Sequence, residues 1–195
     1  MTRVRPILAP ILRNETQARL LAALLLRPGR EASIAELARE VGADAGNLQK
    51  EAVRLIEADI LADRRIGRTR LLRATDSPLA KPLADLLQLG YGPKPVIEDA
   101  LRAIPGIEAA YVGGSWAARY LGVNGPFPRD IDVIIIGTPN RDDVSEAVVS
   151  ALRPLGRDSQ VIFRSRTAWE DADDAFTRTA KASPLVELDL RDEAS

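Results

Sequence analysis

The sequence predicts an α+β protein built from two parts, and three observations indicate this fold class. Residues 14–57 hold amphipathic helical stripes, and residues 60–75 then follow a β-hairpin pattern rich in arginine. Residues 111–137, YVGGSWAARYLGVNGPFPRDIDVIIIG, combine a glycine turn, a helical segment and two aspartates that open a β-branched strand. A helix, a strand and a helix follow, which predicts a small mixed sheet flanked by helices.

Composition narrows the chemistry that the chain can perform. Its 195 residues contain no cysteine and no histidine, which excludes disulfides, thiol nucleophiles, histidine bases and most transition-metal sites. Chemistry based on carboxylates and metal ions remains. No apolar run approaches membrane-spanning length, and the start MTRVRPILAPILRN lacks an adequate signal-peptide core. We therefore expect a soluble cytoplasmic protein.

The net charge of −1 conceals a difference between the two halves. Residues 1–75 hold fourteen Lys/Arg against nine Asp/Glu, whereas residues 76–195 hold thirteen against nineteen. A positively charged first half can bind a polyanion such as nucleic acid. Ordinary solvated faces explain the same counts, so charge alone does not decide between the two interpretations.

Helix signals mark the first two helices of the chain. Asn14 can cap a helix that stops before Pro28-Gly29. Ser33 and Glu36 form a capping box for the next helix, which Gly42 closes. Both segments carry apolar residues at helical spacing, so we expect each to bury one face.

A third helix follows almost at once and leads into a basic hairpin. Asp44 or Ala45 begins it, and its outward face carries Asn47, Gln49, Lys50 and Arg54. Residues 60–75 then place β-compatible side chains around a Gly67-Arg68 tip. The arginines of this hairpin are Arg64, Arg65, Arg68, Arg70 and Arg73.

Three helices with a short turn between the second and third, and then a basic hairpin, resemble a winged helix-turn-helix. In such folds the third helix enters the major groove and the wing contacts the backbone or minor groove. The resemblance implies double-stranded DNA as a partner. It places Asn47, Gln49, Lys50 and Arg54 at bases or phosphates, and the wing arginines at phosphates. Winged helices also serve as protein-docking modules, which is the competing interpretation.

Residues 76–105 predict two linker helices separated by a Gly-Tyr-Gly-Pro break at residues 90–93. Their leucine-rich stripes are most simply core or interdomain packing. By analogy with other winged-helix regulators they also suggest a homodimer, since symmetric operators usually require one. The domain boundaries that we predict are 1–75 for the DNA-binding part, 76–105 for the linker and 106–195 for the remainder.

Asp130 and Asp132 are the strongest chemical signal in the sequence. Strand side chains alternate between faces, so both aspartates should project from one side while Ile131 and Val133 point to the other. Adjacent carboxylates repel each other and tolerate proximity best with a cation between them. Mg²⁺ is the natural candidate, because it takes oxygen ligands from one or two carboxylates and from substrate phosphates.

A Gly113-Gly114-Ser115 turn precedes the aspartates by one helix. Glycine allows a tight turn or a close backbone approach, and the serine hydroxyl can donate to a phosphate where the helix begins. Taken singly, such a turn is more often only a turn, and an Asp-x-Asp is often a solvated strand start. The combination in this order is more specific.

Gly-Ser, a short helix, a loop and Asp-Ile-Asp before an apolar strand resemble the signature of the DNA polymerase β-like nucleotidyltransferases, especially the minimal ones of bacteria and archaea. The resemblance assigns nucleotide phosphates to Gly114 and Ser115, and metal ions and catalysis to Asp130 and Asp132. Arg119 and Arg129 are the nearest cations for phosphate charge, although surface salt bridges explain them equally well. Trp116 can pack a base, but an indole after a tight turn is more often core.

The sequence departs from that family where a third carboxylate is expected on a later strand. Residues 159–163, Ser-Gln-Val-Ile-Phe, contain no acid. Asp158 lies at the edge of the strand and can substitute if the register shifts by one or two residues. Glu187 and Asp189 alternate correctly but occur late, so we interpret them as a solvated face.

Two hypotheses from different classes follow. The whole chain resembles prokaryotic winged-helix regulators that carry a nucleotidyltransferase domain, some of them suspected members of toxin-antitoxin or defence operons. The first hypothesis is therefore a DNA-binding regulator in which the Mg²⁺ and NTP site of the second domain is weakened or lost. That domain would then be a sensor, a dimerisation body or an antitoxin surface for a cognate toxin or another partner protein. The alternative is an active Mg²⁺-dependent nucleotidyltransferase that moves a nucleoside monophosphate from an NTP to a hydroxyl of a protein, small molecule or RNA. The missing third acid favours the first.

Overall fold

The computed structural model describes residues 8, 10–123, 128 and 130–191. They form an α+β protein, as predicted, and the chain divides into two compact units, Met1–Gly92 and Pro93–Ser195. The segment interpreted as a linker is shared between them, with one helix in each unit. Among the described residues, no helix has the length and apolar character needed to cross a membrane.

The N-terminal unit combines helices with a small antiparallel sheet. Its helices are α1 (Glu15–Leu25), α2 (Ile34–Val41), α3 (Ala45–Glu57) and α4 (Ala80–Tyr91). Its strands are β1 (Glu31–Ser33), β2 (Leu61–Ile66) and β3 (Thr69–Ala74), in the order β1-β3-β2. The sequence did not predict β1, because three residues are too few to show a periodic pattern.

The predicted helix ends of this unit are confirmed. The Asn14 side chain accepts a hydrogen bond from the Gln17 amide, and Ser33 and Glu36 form a complete capping box. Gly42 ends α2 in the left-handed conformation with φ of 66°, which glycine adopts without steric cost. Asp44 caps α3. Local side-chain to backbone bonds therefore set where these helices begin, and a glycine sets where α2 ends.

A buried carboxylate connects α1 with α3. Glu51 is 5% exposed, and its Oε1 accepts hydrogen bonds from Asn14 Nδ2 at 3.1 Å and from an Arg54 guanidinium nitrogen at 2.8 Å. Its Oε2 lies 3.5 Å from Gln17 Nε2. Because burial of an unpaired carboxylate is costly, these donors are what makes the charge tolerable at this position.

The C-terminal unit is a mixed sheet flanked by helices, as predicted. Its helices are α5 (Pro93–Leu101), α6 (Gly114–Tyr120), α7 (Arg141–Leu152), α8 (Arg166–Asp171) and α9 (Ala175–Ala182). Its strands are β4 (Ile107–Gly113), β5 (Asp130–Gly137), β6 (Asp158–Arg164) and β7 (Val186–Glu187), in the order β6-β5-β4-β7. β5 runs parallel to β6 and antiparallel to β4, and β7 is antiparallel to β4.

The core of this unit lies on one face of the sheet. Ile131, Val133 and Ile135 of β5 project into it, and all three are completely buried. Apolar residues of α5, α6 and α7 complete the cluster, among them Ile97, Trp116 and Val148. Farther along β5 the opposite face is covered as well, since Ile134 and Ile136 are also buried. The first residues of β5 are therefore its exposed end.

Thr167 and Glu170 have the spacing of a capping box, from which the sequence predicts one helix running toward Ala180. That prediction is wrong, because the structure has two helices here. α8 is capped by Ser165 instead, and it ends at Ala172, whose φ of 53° is left-handed. Asp174 then caps α9 by accepting the Thr177 amide at 2.9 Å and the Thr177 hydroxyl at 2.6 Å. This second cap competes with helix continuation, because an aspartate side chain that bonds a nearby amide favours a new helix start.

We predict that Glu51→Ala lowers the free energy of unfolding by about 1–3 kcal/mol. The substitution leaves the donors of Asn14 and Arg54 without their buried acceptor and opens a small cavity. Urea denaturation followed by far-UV circular dichroism measures the change.

Glu57→Ala is the matched control, because Glu57 belongs to the same helix but is exposed. Its effect should stay within about 0.5 kcal/mol. Equal effects of the two substitutions would show that Glu51 does not connect α1 with α3 energetically.

Candidate functional site

The turn between β4 and α6 places a glycine directly against one of the aspartates. Gly114 has a φ of +67°, a conformation that residues with a Cβ rarely adopt. A Cβ added to Gly114 would lie 2.5 Å from Oδ2 of Asp132. The register explains the contact, since Asp132 pairs with Gly113 across the two antiparallel strands. Only glycine fits both the backbone angle and the space beside this carboxylate.

The two aspartates lie on one face of β5, as predicted from the alternation. Ile131 and Val133 are completely buried, whereas Asp130 is exposed and Asp132 is half-buried. Burial, and then repulsion from Asp130, raise the pKa of Asp132 above its usual range. The pair is therefore electrostatically strained, and a cation between the two carboxylates would relieve the strain.

The register of β6 decides what stands beside the pair. Asp158 lies opposite Asp130 and Gln160 lies opposite Asp132. Partners in a parallel pair point to the same face, so an acid and an amide flank the aspartates. Within the described ranges, no group of three or more acidic, histidine or cysteine side chains has a geometry that could hold a metal ion. Asp158 does not complete a three-carboxylate cluster in this structure.

The other residues assigned to nucleotide binding lie in different surroundings. Ser115 is exposed at the start of α6. Arg119 is only 8% exposed, so its side chain belongs to the interior of the unit more than to an open site. Trp116 is core, as the sequence suggested, and stacks on Tyr120 with ring centroids 5.0 Å apart. Arg129 lies outside the described residues.

The late acids Glu187 and Asp189 stand apart from the carboxylate pair. Glu187 pairs with Tyr111, two residues before Gly113 on β4. Asp189 is held by Arg191 at 2.7 Å. Both acids line a surface groove of about 660 Å³ between residues 107–109 and residues 187–191. The groove does not include Asp130 or Asp132, and we assign no chemistry to it.

The outward face of α3 carries the polar residues that the sequence singled out. Asn47, Lys50 and Arg54 are exposed at positions i, i+3 and i+7, whereas Gln49 is half-buried. Arg54 also bonds the buried Glu51, so part of its charge is neutralised. Asn47 and Lys50 are therefore the more accessible members of this face.

The hairpin arginines fall into two groups, which the sequence could not separate. The Arg64 guanidinium bonds both carboxylate oxygens of Glu31 in β1. Its Nε donates to Oε1 at 2.8 Å and to Oε2 at 3.0 Å. This hydrogen bonding is the main reason that the pKa of Glu31 is lowered. Arg70 donates from Nε to Asp63 at 2.7 Å. Two of the predicted phosphate contacts are thus engaged within the unit.

Arg65, Arg68 and Arg73 form the second group. In the part of the chain that the structure describes, none of the three makes a salt bridge, although Arg73 lies near the Glu31 carboxylate and Arg65 near Asp63. All three are exposed. Arg68 stands at the hairpin tip beside Gly67, where a side chain can reach an external partner.

Comparison with protein-family models, with curated proteins and with solved structures finds no match to this chain. The resemblances stated from the sequence therefore remain predictions. Residue geometry is what supports a function for this protein.

We predict that Gly114→Ala lowers the free energy of unfolding of the C-terminal unit by about 2–4 kcal/mol. The substitution combines a strained left-handed alanine with a clash against the Asp132 carboxylate. Urea denaturation followed by tryptophan fluorescence measures it, because Trp116 and Trp169 both belong to this unit.

Gly122→Ala is the matched control. Gly122 also has a positive φ, of +92°, but no atom of the described residues lies within 4 Å of its added Cβ. It should cost only the conformational strain of about 1 kcal/mol. If both substitutions cost the same, the contact between Gly114 and Asp132 has no energetic importance.

Proposed function

We propose that this protein is a DNA-binding transcriptional regulator whose N-terminal unit acts as a winged helix-turn-helix. The element order α1, β1, α2, α3, β2, β3 supports the proposal, with β1 joining the sheet beside the hairpin. The observation that carries it is a set of exposed hairpin arginines, Arg65, Arg68 and Arg73, that form no salt bridge with any described residue. The same unit has an exposed polar face on α3. DNA phosphates are the partner that such arginines fit.

The ion pairs refine the roles of the residues within this proposal. Arg65 and Arg68 are assigned to phosphates, because Arg64 and Arg70 already bond Glu31 and Asp63. Asn47 and Lys50 are assigned to base edges or phosphates, and the half-buried Gln49 to a lesser contact. Arg64 and Arg70 then hold the shape of the hairpin and contribute longer-range positive potential.

For the C-terminal unit we propose a nucleotidyltransferase-like fold that binds an NTP with Mg²⁺ without efficient turnover. Asp130 and Asp132 would hold the metal ion, and Gly114 and Ser115 would lie against the phosphates. Two features support binding: the raised pKa of Asp132, and the lack of a Cβ at Gly114, which leaves the space beside the Asp132 carboxylate open. The lack of a three-carboxylate group among the described residues argues against turnover.

One observation favours the alternative of an active Mg²⁺-dependent nucleotidyltransferase. Asp158 stands directly beside Asp130 in the sheet and faces the same side. A small movement of its side chain on binding metal and nucleotide would supply a third carboxylate. In that case attack at the α-phosphorus would release pyrophosphate and transfer the nucleoside monophosphate to a hydroxyl. A protein, a small molecule or RNA would provide that hydroxyl.

We predict that Arg65→Ala and Arg68→Ala each weaken binding to double-stranded DNA about three- to tenfold. Each should also reduce the dependence of the logarithm of affinity on the logarithm of salt concentration by about one unit, since one phosphate contact is lost. Fluorescence anisotropy with a labelled duplex of random sequence, at several salt concentrations, measures both quantities.

Arg191→Ala is the control, because Arg191 is a well-exposed arginine of the C-terminal unit, with 88% of its side chain accessible. It should leave the affinity and the salt dependence unchanged. Loss of affinity in all three variants would indicate a nonspecific charge effect, and unchanged binding in both hairpin variants would contradict the proposed wing contact.

We predict that isothermal titration detects Mg²⁺-dependent binding of at least one common NTP, and that the double variant Asp130→Asn/Asp132→Asn abolishes it. Asp142→Asn/Asp143→Asn removes the same charge from exposed positions of α7 and should leave the binding intact. Incubation with labelled NTP then tests turnover.

The outcomes separate the hypotheses. Binding without label transfer supports a nucleotide-responsive regulator, whereas pyrophosphate release supports the active enzyme. If no NTP binds, both the nucleotide-responsive regulator and the active enzyme are refuted for the C-terminal unit. The DNA-binding proposal is then decided by the DNA titrations alone.

A further inference from the structure

The outer strand of the C-terminal sheet has an open edge. β6 bonds to β5 along one side, and no strand of the described residues pairs with its other side. Such an edge presents a row of backbone donors and acceptors that can pair with another chain. β6 carries few of the features that usually prevent this, because its sequence DSQVIFR contains no proline, glycine or lysine.

The middle of β6 is more apolar than a solvated edge requires. Val161, Ile162 and Phe163 are only half-buried, whereas the three residues opposite them on β5 are almost completely buried. Consecutive residues point to opposite faces, so apolar surface remains accessible on both faces of the strand. A partner strand beside β6 would cover both.

The charges of β6 are complementary to those of a second copy. In a two-fold antiparallel pair centred on Val161, all seven residues find a partner and Asp158 stands opposite Arg164 at each end. Opposite charges at directly facing positions stabilise a strand pair. A shift by one residue toward the start of the strand would instead oppose Asp158 to Phe163. The sequence of the strand therefore fits one self-pairing register better than its neighbour.

The helix that covers β6 also leaves an apolar residue exposed. The Arg141 guanidinium lies 5.1 Å from the ring centroid of Phe163, which places one side of α7 over β6. Arg141, Ser145 and Val149 share that side by helical spacing. Val149 is 47% exposed. A second copy beside β6 would bring the two α7 helices toward each other along this side.

We propose that two copies of this protein associate through β6, in antiparallel register about Val161, to form one continuous sheet. This homodimer does not depend on the function proposed above. The partner's Arg164 would stand opposite Asp158, which is itself beside Asp130, so each copy would supply a cation near the carboxylates of the other. Arg164 keeps donors for this role, because its guanidinium has five N–H groups. In this structure one nitrogen donates to the Phe163 carbonyl at 2.9 Å, and the bonds to Thr177 and Asp174 are longer, at 3.3 and 3.4 Å.

A cysteine placed on the two-fold axis tests the register directly. The chain contains no cysteine, so Val161→Cys introduces a single thiol. Facing Cα atoms of antiparallel strands are about 4.5–5.5 Å apart, which is within the range of a disulfide. We expect the full-length variant to form a covalent dimer under mild oxidation, seen on a non-reducing gel.

Leu89→Cys is the matched control, since Leu89 is a 41% exposed residue of α4, the helix otherwise suggested for dimerisation. It should remain mostly monomeric under the same oxidation. Equal or faster cross-linking at Leu89, or none at Val161, would overturn the proposed interface.

A charge exchange provides the second test. Asp158→Arg places two arginines opposite each other at both ends of the pair, and Arg164→Asp places two aspartates there. Each variant alone should dissociate at least tenfold more readily than the wild type in sedimentation equilibrium. A mixture of the two should regain the wild-type affinity, because the heterodimer restores an opposite-charge pair at both ends.

Tryptophan fluorescence checks that each variant is folded, since Arg164→Asp also removes contacts to α9. Asp158 is exposed, so Asp158→Arg remains a valid test if Arg164→Asp does not fold. A wild type that stays monomeric at high protein concentration, or unchanged dimerisation of Asp158→Arg, would refute the proposal. None of these measurements uses DNA or nucleotide, so their outcome is separate from that of the proposed function.

Discussion

The contact between the Asp132 carboxylate and the backbone of Gly114 is the constraint on which the C-terminal unit depends. A carboxylate 2.5 Å from the position of an absent Cβ fixes the glycine, and the register that pairs Gly113 with Asp132 fixes the approach of the two strands. The turn, the start of α6 and the open end of β5 are thereby held in one place. Burial, and then repulsion from Asp130, also raise the pKa of Asp132, so this carboxylate is costly to keep charged. A carboxylate with a raised pKa beside an open strand end is an arrangement suited to binding a cation.

Much of the fold follows from local sequence, and the residues show why. Asn14, Ser33 with Glu36, and Asp44 each bond an amide within three residues, so their positions are readable without tertiary information. The alternation that puts Asp130 and Asp132 on one face is equally local. The break between α8 and α9 was missed because Asp174 competes with a helix pattern that appears continuous, and β1 was missed because its pairing with β3 joins segments some forty residues apart.

The candidate sites were predictable in their residue types but not in their partners. The sequence singled out the hairpin arginines, yet only the fold reveals that Arg64 forms a salt bridge with Glu31 and that Arg70 forms one with Asp63. The Asp63 pair could have been suspected, because residues 63 and 70 lie near each other across a hairpin with a tip at residues 67–68. The Glu31 pair could not, because β1 was not recognised. Likewise, the placement of Gln160 beside Asp132 and of Asp158 beside Asp130 depends on strand register, which a one-residue slip would have changed completely.

The same register connects the carboxylates with the open edge of the sheet. β5 has neighbours on both sides, so its apolar residues are buried and its aspartates can project only at its first residues. Among the described residues β6 has a neighbouring strand on one side only, so no strand covers the edge that carries its aspartate at one end and its arginine at the other. Arg164 forms a salt bridge with Asp174 of the same unit, whereas Asp158 is exposed and pairs with Asp130 on the neighbouring strand. Like charges on adjacent strands destabilise a sheet unless a cation lies near them. A metal ion at the aspartate pair and an arginine from a second copy are two ways to supply that cation, and they act on different sides of the same group of acids.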